Sequence, residues 1–118
     1  KLDKTEEMHI QALQGFEEAL RPKHTLTLTT VNNLAVLYAD QGKLGEAERM
    51  YMRALQGYKE ALGPNHTLTL NTVNNLGLLY ANQGKRSEAE KMYMWALQGR
   101  KEVLGLKHTL TLNIINNL

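Results

Sequence analysis

His24-Thr25-Leu26-Thr27-Leu28-Thr29-Thr30-Val31-Asn32-Asn33-Leu34 returns forty-two residues later as His66-Thr67-Leu68-Thr69-Leu70-Asn71-Thr72-Val73-Asn74-Asn75-Leu76. The segment starts a third time at His108-Thr109-Leu110-Thr111-Leu112. Aligned over their full length, 24–65 and 66–107 differ at twelve of forty-two positions, so the chain is one unit repeated. Residues 1–23 match 43–65 and residues 108–118 match 66–76. The whole chain, 1–118, therefore reads as a single array fragment: the second half of a unit at 1–23, whole units at 24–65 and 66–107, and the start of another at 108–118. Such an array buries its apolar surface between neighbouring units rather than around one central core.

A period of this length suits both helical repeats and propeller blades, so the pattern must decide. In 43–62, Leu44, Ala47, Met50, Tyr51, Ala54, Leu55, Tyr58 and Leu62 recur at spacings of three and four, which draw one stripe down a helix. Gly63-Pro64 is its stop signal, and Gly105 repeats that stop. Gly15, Gly57 and Gly99 interrupt the same helix at a cost of about 1 kcal/mol each against alanine, which suggests close approach by a neighbouring helix. The Thr-Leu-Thr-Leu stretch alternates like a strand. Its continuation through Val31, Leu34, Ala35 and Tyr38 has helical spacing and no turn signal before Gly42, far too long for one strand. A threonine hydroxyl can cap the start of that helix, and Gly42 and Gly84 can close it. First helices are expected at about 26–41, 68–83 and 110–118 and second helices at about 2–20, 44–62 and 86–104, boundaries being good to a few residues. The expected fold is all-α, a superhelix of stacked helix hairpins.

Leu34-Ala35, Tyr38, Gly42, Ala47, Tyr51 and Ala54, repeated as Leu76-Gly77, Tyr80, Gly84, Ala89, Tyr93 and Ala96, resemble the small-and-aromatic signature of the tetratricopeptide repeat. Val31 stands where that family often has tryptophan. Lys59 stands where a proline usually ends the second helix, and the unit is longer than the common form of about 34 residues. The text Asn-Asn-Leu-x-x-Leu-Tyr, Gln-Gly-Lys, Glu-Ala-Glu, Ala-Leu and Leu-Gly is similar to the 42-residue variety of kinesin light chains. It is closer still to the near-identical arrays that end fungal NOD-like receptors. The resemblance implies a right-handed α-α superhelix that binds a protein or an extended peptide as the recognition module of a larger signalling protein.

Residues 29, 33, 36 and 40 share one narrow helical stripe opposite Val31, Leu34 and Tyr38. They are Thr29, Asn33, Val36 and Asp40, with counterparts Asn71, Asn75, Leu78 and Asn82. Three of the four differences between the two first helices fall on this stripe, so the packing face is held while the open face varies. The family resemblance puts that stripe on the groove where partner peptides lie. Asparagine both donates and accepts, so Asn32, Asn33, Asn74, Asn75, Asn116 and Asn117, with Asn113 at the start of the last copy, can engage an extended backbone. The same amides can instead bond one another and stiffen the stack. A carboxylate clamp built from lysine and arginine is disfavoured, because the matching sites are neutral or, at Asp40, acidic.

Trp95 replaces Arg53 and Gln11, a position expected to face solvent, and serves either as a secondary contact or as a ring lying over its own helix. Phe16, Tyr58 and Arg100 share a boundary position whose tip is expected to reach water. Glu46-Ala47-Glu48 reads as an ordinary solvated helix start.

Other classes lose on composition. Fourteen basic and twelve acidic residues give net +2, too little to imply a nucleic-acid or membrane surface. No apolar run approaches the roughly 20 residues of a membrane span, and residues 1–20 are too charged for a secretory signal. Without cysteine there is no disulfide frame or thiolate nucleophile, so a cytoplasmic protein is the simplest expectation. Three histidines one unit apart are separated by about 10 Å per packed layer, against zinc–nitrogen bonds near 2.0–2.1 Å, so no metal is expected. One serine, Ser87, and two aspartates, Asp3 and Asp40, form no catalytic constellation; neither an enzyme nor a cofactor is expected. Half-units at both ends expose faces that repeats normally cover, so head-to-tail self-association is the alternative to peptide binding.

Overall fold

The computed structural model describes residues 4–21 and 24–117, with side chains throughout except at 106 and 109–117. Every regular element among the described residues is helical: α1 (Lys4–Ala19), α2 (Thr25–Asp40), α3 (Leu44–Leu62), α4 (Thr67–Asn82) and α5 (Arg86–Asn117). The most extensive packing is within the pairs α2–α3 and α4–α5, and α1–α2 and α3–α4 join one pair to the next. The result is elongated, 61 × 38 × 21 Å.

The alternating Thr-Leu segment is helical, and its histidine and its second and fourth threonines each satisfy a nearby backbone group. His24 is the N-cap of α2, and its Nδ1 accepts from the Leu26 amide at 3.1 Å; His66 does the same for Leu68 at 3.1 Å. Histidine thus supplies the cap expected of threonine. Thr27 and Thr69, fully buried, reach back across the preceding loop and donate to the carbonyls of Arg21 (3.3 Å) and Gly63 (2.8 Å). Thr30 donates to the carbonyl four residues earlier, and Thr72 shares its one hydroxyl hydrogen between the Leu68 carbonyl and Asn32 Oδ1. The leucines between them, Leu28 and Leu70, enter the core. At the other end Gly42 and Gly84 take positive φ (79° and 77°), and the amides of Lys43 and Lys85 bond the carbonyls of Tyr38 and Tyr80 at 2.8 Å. That is a Schellman closure, and it needs the glycine.

Two clusters form the core. Leu13, Leu28, Val31, Leu34, Ala54 and Tyr58 join α1, α2 and α3. Tyr51, Leu55, Val73, Leu76, Tyr80 and small residues including Ala47 and Ala89 join α3, α4 and α5. The helix glycines divide. A Cβ at Gly57 would run into Leu28, and one at Gly99 would lie 2.6 Å from Leu70 Cδ2, whereas at Gly15 it would meet nothing within 4 Å. Close approach explains the first two and leaves Gly15 unexplained.

One expectation is overturned. Separate helices at 86–104 and 110–118 are instead one continuous helix, α5, thirty-two residues long to Asn117. Gly63 stops α3 with φ 97° and is followed by Pro64, which cannot continue the hydrogen-bond ladder. Gly105 is followed by Leu106, which can, and a lone glycine inside a helix costs only about 1 kcal/mol.

Candidate functional site

Helices α2 and α4 meet through a 3.2 Å hydrogen bond from Thr72 Oγ1 to Asn32 Oδ1. The apolar face of α2 packs on α3 and that of α4 on α3 and α5, which leaves Val36, Asp40, Leu78 and Asn82 exposed. Toward the C-terminal ends of the two helices the stripes converge on a cleft of about 200 Å³. Its walls are Val36 and Asp40 from α2 and Asn75, Leu78 and Asn82 from α4, and its floor includes Leu79 and Tyr51. Five of the residues read from the sequence as groove contacts are thus in one place. Small-molecule sites occupy roughly 300–1,000 Å³, so a cleft of this size suits one inserted side chain better than a cofactor.

The chemistry of the cleft is mixed. Val36 and Leu78 are exposed aliphatic side chains, Leu78 to 54%. Asn75 and Asn82 offer amides, and Asp40 is the one charged side chain of the lining. The floor phenol, Tyr51, is pushed up to about 12, first by burial and then by the carboxylate of Asp40. It stays a neutral hydroxyl throughout the physiological range. An apolar slot with a carboxylate and two amides on its rim can accept an aliphatic side chain while holding a nearby cation or a backbone amide.

The remaining predicted positions are placed differently. Asn33 is exposed and lines a second, shallower hollow with Met8, His9 and Ala12 of α1. Asn74 and Asn71 are exposed, Asn71 at the opposite end of α4, where it lines a cavity of about 330 Å³ with Arg100 and Leu104. Asn32 is half-buried and accepts from Thr72 of the next unit, so its bond between repeats is made with a threonine and not with another asparagine. The Thr29 hydroxyl lies 2.8 Å from the Tyr58 hydroxyl, so it is turned into the α2–α3 pair rather than offered to a ligand. Asn113, Asn116 and Asn117 lie outside the residues whose side chains are described.

Two boundary readings change. Tyr58 is only 2% exposed, and its tip meets Thr29 instead of water; burial raises its pKa and the bond from Thr29 partly offsets that rise. Trp95 is half-buried rather than solvent-facing: its indole Nε1 donates to the Pro64 carbonyl at 3.0 Å, and Lys59 Nζ sits 5.8 Å from the ring centroid. The ring braces the loop between α3 and α4.

A recurring latch was not read from the sequence. Glu6, 3% exposed, accepts from Gln41 Nε2 at 3.0 Å and pairs with Lys43 Nζ at 3.7 Å. One unit later Glu48 accepts from the Tyr80 hydroxyl (3.4 Å) and pairs with Lys85 (3.7 Å). Lys43 and Lys85 also lie over the rings of Tyr38 and Tyr80, 5.7 Å from each centroid. Each Gln-Gly-Lys turn therefore grips the preceding unit, and Glu48 is no solvated helix start. The signal was present as Glu6 and Glu48 holding one repeat position, each followed thirty-seven residues later by Lys43 or Lys85.

No group of three histidine, aspartate or glutamate side chains among the described residues is placed to hold a metal ion, and no described helix is long and apolar enough to cross a membrane.

Comparison with known proteins agrees with the architecture. The family described as Tetratricopeptide repeat matches residues 1–60 and 28–102. Among solved structures, the crystal structure of BtubC (BKLC) from P. vanneervenii is similar at 29% sequence identity, with a TM-score of 0.81. The likeness covers 85% of this chain and 39% of that one, so this chain spans well under half of the protein it resembles. No curated protein matches.

Proposed function

Because the chain belongs to the tetratricopeptide repeat family, whose repeats generally mediate protein–protein interactions, we propose that the α2–α4 face binds an extended segment of a partner protein. The observation that carries the proposal is the convergence of Val36, Asp40, Asn75, Leu78 and Asn82 on one open cleft. These are the same positions at which two otherwise near-identical units differ or display amides. An aliphatic side chain of the partner enters between Val36 and Leu78. A basic residue beside it pairs with Asp40, and Asn75 and Asn82 hold its backbone. The chain is a non-catalytic scaffold and a recognition module within a larger signalling protein, a reading supported by the tetratricopeptide match and by the likeness to BtubC (BKLC). A chain free of cysteine fits a cytoplasmic setting.

Peptides selected from a random displayed library on the immobilised chain test this reading. Selected peptides should carry an aliphatic residue next to lysine or arginine. They should lose at least tenfold in affinity on Leu78→Glu, and less on Asn33→Ala combined with Asn75→Ala. Trp95→Ala should leave binding unchanged, since that ring braces a loop. Peptides indifferent to Leu78→Glu would sink the proposal.

A second reading, self-association through α5, has its own observation: this helix leaves large apolar side chains, including Met94, Leu97 and Leu104, at least half exposed.

A further inference from the structure

The exposed face of α5 is the repeat counterpart of a face that is covered one unit earlier. On α3, Tyr51 is 4% and Leu55 6% exposed, because α4 lies on them with Val73 and Leu76. Their counterparts on α5, Tyr93 and Leu97, are 36% and 50% exposed. The same holds at the loop end. Leu68 of α4 packs against the cluster of Leu28 and Tyr58, with Leu62 beside it. The counterparts of that trio, Leu70, Arg100 and Leu104, line the open cavity of about 330 Å³. Both features are what the α4–α5 pair looks like without a following first helix.

The chain carries the sequence of that helix. His108-Thr-Leu-Thr-Leu-Asn113 repeats His66–Asn71 residue for residue, and Leu110 and Ile115 hold the positions of Leu68 and Val73. Yet 109–117 runs straight on from 86–108 in α5, so it points away from the face it matches. Leu97 and position 115 are eighteen residues apart on one helix, about 27 Å at 1.5 Å per residue. A segment held in this way cannot cover its own molecule.

We infer that two copies of this chain exchange their 109–117 segments, each lying across α5 and α4 of the other as α4 lies across α3. The inference rests on the self-association reading, and it specifies the mode. The contact is reciprocal, so it closes at two copies, whereas end-to-end stacking would propagate. The hinge is 105–108, where Leu106 stands in place of Pro64 and permits the helix to continue. The exposed apolar face of α5 and the apolar repeat positions in the segment's sequence supply the drive, and the exchange creates no contact type that the array does not already use.

Sedimentation equilibrium and cross-linking test it together. The chain should sediment at twice its own mass, with a monomer fraction on dilution. A mass that climbs without limit would keep self-association and overturn the exchange; a monomer across the accessible concentrations would overturn both. Since the chain has no cysteine, Leu97→Cys with Ile115→Cys places the only two thiols. A short bismaleimide should join them between chains, giving a covalent dimer. A link within one chain, or none, would overturn the exchange. Leu106→Pro recreates the Gly63-Pro64 stop and should turn the segment back onto its own α5, shifting the mass to monomer with helix content retained. A dimer unchanged by this substitution would contradict the hinge.

Discussion

Gly15→Ala and Gly57→Ala make one chemical change at one repeat position, and the structure gives them opposite signs. Alanine in a helix interior is favoured over glycine by about 0.8–1 kcal/mol. At Gly15 nothing lies within 4 Å of the new methyl, so that gain is uncompensated and the variant should be about 1 kcal/mol more stable than the parent. At Gly57 the methyl collides with both δ-carbons of Leu28. Leu28 is 1% exposed and enclosed by Val31, Leu34, Ala54 and Tyr58, so it has no open side to retreat to. Overpacking of this kind costs about 1–3 kcal/mol, which offsets the helix gain and leaves a net loss of up to about 2 kcal/mol. The two variants should therefore differ by about 1–3 kcal/mol. In urea unfolding followed by far-ultraviolet circular dichroism, the midpoint should rise for Gly15→Ala and fall for Gly57→Ala at unchanged slope. If Gly57→Ala stabilised the chain as much as Gly15→Ala, the claim that α2 and α3 touch at this glycine would be wrong.

The histidine caps predict another contrast. His66→Ala should cost about 1 kcal/mol by thermal or denaturant unfolding and His66→Asn much less, while His108→Ala, inside α5 with no helix start to cap, should stay within about 0.5 kcal/mol of the parent. Tyr51 predicts alkaline sensitivity. Its folded pKa is raised, so stability is full below the unfolded value near 10 and falls as pH rises through about 12. Absorbance titration should show this phenol ionising late or only on unfolding, and Asp40→Asn should bring its titration to lower pH. Glu48→Ala should weaken the array by about 1 kcal/mol, since it removes the acceptor of the Tyr80 hydroxyl and the partner of Lys85.

Much of the fold was legible because the repeat compares the chain with itself. Apolar spacing placed α3 at 44–62, its observed extent, α2 and α4 within one residue at each end, and the start of α5 at Arg86. The third turn failed because Gly105 was read as equivalent to Gly63, although the residue that enforces the stop is Pro64 and its counterpart is Leu106. The cap failed for a similar reason. Threonine is the statistical choice, but backbone geometry puts His24 one residue outside α2, where Nδ1 reaches the Leu26 amide. Helical phase was enough to gather Val36, Asp40, Asn75, Leu78 and Asn82, because residues on one phase of neighbouring parallel elements share a face. It could not show that Thr29 turns into the helix pair or that the Trp95 indole finds a carbonyl thirty-one residues away. Those depend on side-chain rotamers and on partners in other helices, which no local pattern carries.

Residue-resolved amide shifts during titration with a selected peptide locate the face on which the partner binds. The largest saturable changes should fall at Val36, Asp40, Asn75, Leu78 and Asn82, on both α2 and α4 at once. Changes centred instead on Met8 and Ala12 of α1, or on the Leu70–Leu104 cavity of α4 and α5, would contradict that placement.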